Sequence, residues 1–100
     1  MDADFPLEIT QRLSQACDLF KTGQYFECHE FIETQLWQHE TTPNQKRFYQ
    51  QLIQLAVAQH HQKRGNLRGY SLQRQKALHN SNELSTQQRY WLQHFLNVTH

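Results

Sequence analysis

Tyr25-Phe26-Glu27-Cys28-His29-Glu30-Phe31-Ile32-Glu33, running on through Thr34-Gln35-Leu36 to Trp37, is the stretch on which the reading of the chain turns. Wound at ~100° per residue, it gathers Tyr25, Cys28, Ile32 and Leu36 into one apolar stripe. His29 and Glu33 fall beside that stripe, between it and Phe26 and Trp37, while Glu27, Thr34 and Gln38 take the wet side. An imidazole and a carboxylate four residues apart and flanked by aromatics are expected to be at least half buried. Polar groups withdrawn from water cost several kcal/mol unless paired. What His29 and Glu33 pair with is therefore the question the rest of the chain has to answer.

Upstream, residues 1–5 read as a lead-in and Pro6 sits in a first helical turn, where its missing N–H is no loss. Ile9, Leu13, Ala16 and Phe20, with Cys17 beside them, recur at helical spacing until Gly23 closes the helix in a left-handed conformation. The second helix carries the opening stretch to about His39, and Thr41-Thr42-Pro43-Asn44 breaks the chain. A third helix, about Gln45 to Arg64, is apolar almost all round through Phe48, Tyr49, Leu52, Ile53, Leu55, Ala56, Val57 and Ala58. Such a helix is central. Its one polar stripe is Arg47, Gln50, Gln54 and His61. Gly65 closes it, Asn66 caps a fourth helix through Leu78, and Asn80-Ser81-Asn82 is a loop. Ser85-Thr86-Gln87-Gln88 is a capping box opening a fifth helix, about 86–98, with Trp91, Leu92, Phe95 and Leu96 inward.

Ala16, Gly23 and Tyr25 recur as Ala58, Gly65 and Leu67, each shifted by 42 residues. Both copies read helix, glycine turn, helix. The predicted fold is all-α: a single domain over 1–100, a compact bundle of about five helices built from two antiparallel helix hairpins and a C-terminal helix.

Composition agrees. Among 100 residues, 37% are hydrophobic, with twelve aromatics, sixteen glutamines, three glycines and two prolines. No apolar run approaches the ~20 residues of a membrane span, and the N-terminus lacks a signal-peptide layout, so the expected location is cytoplasmic. Cys17 and Cys28 fall at inward positions of successive helices and are expected as buried, reduced thiols. Charge is unevenly spread: residues 1–40 carry −6 and residues 41–100 carry +7. Either the two halves attract each other, within the fold or head to tail between copies, or Lys63 to Lys76 meets an anionic partner.

The two hairpins resemble a small all-helical family catalogued as domain of unknown function 309. The blocks that carry the resemblance are Phe20 to Glu33 ending at Trp37, and Arg47 to Ala58 followed by His61, Gly65-Asn66 and Gly69. They cover roughly residues 13–78, and Gly-x-Tyr-x-x-x-His-Glu-x-x-Glu together with Gln-Leu-Ile-Gln-Leu-Ala-Val-Ala is specific. The chain departs from the family pattern at Gln51, where glycine is usual, and at Tyr70, where a small residue is usual. The resemblance implies the helical fold, and some members carry the label of metal-dependent hydrolases.

Two arrangements of the same residues follow. In the first, His29 and Glu33 at i and i+4 offer two ligands to one ion, and His61 (or His60 in its place) adds a third. Glu30 serves as a further ligand or catalytic general base. Two histidines and a carboxylate with open positions suit Zn, Mn or Fe, whose bound water would be activated for hydrolysis. Glu33 stands, however, where the zinc-protease helix has its second histidine. In the second arrangement the cluster is a buried hydrogen-bonded network, with Arg47 on a glutamate and Gln54 on His29. The protein is then a helical interaction module. A pocket lined by Tyr25, Trp37 and Tyr49 would take a small ligand or peptide, and a homodimer or protein partner is expected. Nucleic acid is disfavoured, because the bases from 63 to 76 form no continuous stripe and no base-reading motif is present.

Overall fold

Gly23 and Gly65, at φ +80° and +81°, make the two sharp turns that fold the chain into paired hairpins. Only glycine adopts this backbone without steric cost. The computed structural model describes residues 5–79 and 83–97. The loop expected at 80–82, most of the N-terminal lead-in and the extension of the last helix to residue 98 lie outside those residues. Helix α1 spans Leu7–Lys21, α2 Tyr25–Ile32, α3 Pro43–Lys63, α4 Leu67–Leu78 and α5 Thr86–Leu96. Helices α1 and α2 form the first hairpin, α3 and α4 the second, and α5 packs back on α1 and α3. The predicted all-helical bundle is what forms, and none of its helices is long and apolar enough to cross a membrane among the described residues.

Helix α3 is central, with Phe48, Tyr49, Leu52, Leu55 and Ala56 all within 1% of full burial. Proline occupies its first turn, so α3 begins at the residue the sequence suggested as a break. Phe20 joins three helices: its ring lies 5.3 Å, edge-on, from both Tyr25 of α2 and Phe95 of α5. Such aromatic pairs add about 0.5–1.5 kcal/mol beyond the area they bury. The expected caps are present. Asn66 Oδ1 accepts from Gly69 N at 2.9 Å, and Ser85 and Gln88 form a reciprocal capping box. Cys17 and Cys28 are free and buried. Cys28 Sγ donates to the Ala16 carbonyl at 3.3 Å.

The helix carrying His29 does not continue as α to His39. At Glu33–Trp37 it widens into a π turn, with Gln38 N–H donating to the Glu33 carbonyl at 2.9 Å. The cause is in the spacing. Cys28, Ile32 and Leu36 must all face inward, and each four-residue step overshoots by ~40° at ~100° per residue. One turn of i→i+5 bonding restores the alignment.

Candidate functional site

His29 and Glu33 project from the same side of α2 and meet as expected, Nε2 to Oε2 at 3.6 Å, with side chains 27% and 42% exposed. That separation is an ion-pair contact and too long for a direct hydrogen bond. Both side chains are more than half buried, as expected, and both retain partial access to water.

The remaining members of the expected cluster go elsewhere. His61 belongs to the α3–α4 turn: its Nδ1 lies 3.3 Å from Asn66 Nδ2, and its carbonyl accepts from Asn66 N at 2.8 Å. Its ring also packs on Gly69, where a Cβ would stand 2.8 Å from His61 Cγ. Glu30 is exposed on the outer side of α2. Arg47 pairs with Glu83 at 3.4 Å, both well exposed, and not with a glutamate of α2. Gln54 lies half-buried on the α3 stripe. Among the described residues, no group of three His, Cys, Asp or Glu side chains is placed to hold a metal ion. His29 and Glu33 are the two donors the fold brings together.

The expected aromatic pocket also divides. Tyr49 is fully buried in the core, its hydroxyl accepting from Gln45 Nε2 at 3.0 Å and pushed up to about 12 in pKa by burial. Trp37 is covered by Lys46, whose Nζ lies 4.2 Å from the ring centroid. Tyr25 instead shares a hollow of ≈ 220 Å³ with Phe26, His29, Val57 and His60. Its walls come from α2 and α3. Phe26 stands at the mouth, 53% exposed, with His29 at 6.0 Å and His60 at 6.2 Å between ring centroids. At the hairpin turn Lys63 Nζ donates to the Gly23 carbonyl at 3.1 Å and lies 5.9 Å from the Tyr25 ring centroid, tying one hairpin to the other beside the hollow.

A partly buried polar network does exist, built of other residues around Gln88. Gln88, 2% exposed, donates through Nε2 to Gln45 Oε1 at 2.6 Å and Asn44 Oδ1 at 2.9 Å. Its Oε1 accepts from Ser85 N at 3.0 Å. Gln45 passes the chain on to Tyr49. This network locks the start of α5 against the start of α3, far along the chain from His29. Its signal in the sequence is the capping box, which by itself marks Gln88 only as a local cap. Helix spacing also marked Val57 as inward and Phe26 as flanking, yet nothing in the spacing paired them across two helices.

The family profile described as "Domain of unknown function (DUF309)" matches residues 13–72. The chain is also 44% identical over 48 residues to the uncharacterized protein YpuF of Bacillus subtilis (strain 168). That match spans 48% of this chain and 27% of the relative's length. No solved structure matches the chain significantly. The matched segment runs from α1 into α4, through both glycine turns and the whole His29 face. The chain belongs to the family of domain of unknown function 309.

Proposed function

We propose that the α2–α3 face is a recognition surface that accepts a side chain from a protein partner, and that the chain acts as a helical interaction module. The hollow formed by Tyr25, Phe26, His29, Val57 and His60 carries this reading. Small-molecule sites generally occupy ~300–1,000 Å³; at ≈ 220 Å³ the hollow is smaller and suits one apolar side chain. Protein interfaces concentrate their energy in such anchors, set in a pocket and ringed by polar groups. Here Phe26 supplies exposed apolar surface at the mouth, and Glu33, paired with the lining residue His29, supplies a polar group beside it.

The hydrolase label that some members of the family carry would require a third ligand beside His29 and Glu33. Of the two histidines the sequence offered for it, His60 lines the hollow with His29 without completing a group of three metal-binding side chains among the described residues, and His61 is engaged by Asn66 and Gly69 in the α3–α4 turn. This engagement favours recognition over metal chemistry.

The test is an amide ¹H–¹⁵N titration with N-acetyl-leucinamide, which presents one apolar side chain. Saturable shifts confined to residues 25–29 and 57–60, abolished in Val57→Lys, are expected. Shifts that never saturate, or that persist in Val57→Lys, would overturn the reading.

A further inference from the structure

The partner's chemistry is written in the other half of the chain. Between residues 41 and 82 there are seven Lys and Arg and no acid. No ion pair among the described residues joins any of these bases to an acid of α1 or α2: the pairs are Glu8–Arg12, His29–Glu33 and Arg47–Glu83. The attraction between halves that the sequence suggested is therefore not discharged by ion pairs inside the fold.

Helix α4 concentrates the unpaired charge. It packs chiefly on α3, and Ala77 is its buried residue among those described. Arg68, Leu72 and Lys76 follow one another four residues apart, so they form one ridge on the helix surface. All three are exposed, as are Arg64 in the preceding turn and Leu67. Leu67 and Leu72 are 65% and 48% exposed, which makes them apolar projections set among cations. The α2 side is the inverse of this: a side-chain-sized apolar hollow and an exposed Phe26, with Glu27 and Glu30 exposed on the outer side of the same helix and without an ion-pair partner among the described residues.

We propose that the occupant of the α2–α3 hollow is a second copy of this chain, whose α4 inserts Leu67 or Leu72 while Arg68 and Lys76 meet Glu27 and Glu30. Two independent properties match, apolar projection to apolar hollow and cation to anion. Nucleic acid fits the same ridge less well, because its leucines would be left uncovered and no aromatic stands on the ridge for base stacking. The inference rests on the recognition reading of the hollow, and names its partner.

The test is molar mass by sedimentation equilibrium from micromolar to millimolar protein, at low and high salt. The wild type is expected to shift from monomer toward dimer at low salt and to return toward monomer as salt screens the contact. The double variants Glu27→Lys/Glu30→Lys and Arg68→Glu/Lys76→Glu should each stay monomeric, with unchanged helical circular dichroism. Mixed in equal amounts, they should form a 1:1 heterodimer, because an acidic α4 then meets a basic α2 face. A wild type that remains monomeric at millimolar concentration and low salt overturns the proposal. So do variants that self-associate, or a mixture that does not associate. N-acetyl-leucinamide titrated into the same samples separates the two ideas. Saturable binding by a monomeric wild type would leave the recognition surface standing and remove the second copy as its occupant. Absence of both would remove both.

Discussion

Replacing Gly69 with alanine should destabilise the protein, even though Gly69 lies inside α4, where alanine is the better helix former by about 0.8–1.0 kcal/mol. The new Cβ would stand 2.7 Å from Asn66 Nδ2, 2.8 Å from His61 Cγ and 2.9 Å from His61 Cδ2. None of these atoms is free to yield cheaply. The His61 ring leans on Asn66, and Asn66 holds the cap of α4 through Gly69 N. Overpacking of this kind costs roughly 1–3 kcal/mol. Set against the propensity gain, it leaves a net loss of about 1 kcal/mol, or ~4–8 °C in melting temperature for a domain of this size. In a His61→Ala background the ring is gone and the Asn66 amide, still capping α4 through Oδ1, can shift its Nδ2 into the vacated space, so the same Gly69→Ala change should become stabilising by about 0.5–1 kcal/mol. Urea unfolding followed by circular dichroism on the four proteins of the cycle measures both signs. A Gly69→Ala variant that is stabilised in the wild-type background, or an effect of the same sign in both, would refute the packing role assigned to His61.

Other outcomes follow from the same geometry. Glu33→Gln should change stability by less than ~1 kcal/mol, since a half-exposed ion pair contributes little; a loss of ~3–5 kcal/mol would indicate a buried charge pair instead. Gln88→Leu should cost about 1–2 kcal/mol in urea unfolding, because it removes half of a capping box and leaves the half-buried Gln45 without its partner on α5; a neutral effect would deny the network its role. Stability should fall on the alkaline side. Burial pushes Cys28 from 9.0 to about 12 and Tyr49 from 10.0 to about 12, so the unfolded chain gives up protons that the native state keeps. Both contributions are whole below pH 9 and are lost progressively between 9 and 12. Melting curves across that window should show the decline, reduced in Cys28→Val.

The helices were legible because their signals are local. Glycine at 23 and 65, the Asn66 cap, the Ser85–Gln88 box and the apolar encirclement of α3 each determine structure within a few residues, and all appear where the spacing put them. The site was legible only along one helix. His29 and Glu33 share a face by helical geometry alone, and so they meet. Whether a residue of α3 joins them depends on how α3 is rotated against α2 and α4. His60 and His61 are neighbours in sequence, yet the rotation of α3 sends His60 to the α2 side and His61 to the α4 side. Arg47 was drawn toward a glutamate of α2 by charge, but the helix delivers it to Glu83 at the other flank. The expected network does not form at His29 because two of its other members, His61 and Arg47, are held by Asn66 and Glu83 instead. A network forms at Gln88, whose burial is set by α5 docking onto the start of α3.

The most direct test is an amide titration of untagged protein with Zn²⁺, followed at His29, Glu33, His60 and His61 and repeated on His29→Ala. A recognition surface predicts no saturation at one equivalent and no change in melting temperature with EDTA. Stoichiometric binding that shifts His29, Glu33 and a third ligand together, and vanishes in His29→Ala, would contradict the account and return the α2–α3 face to metal chemistry.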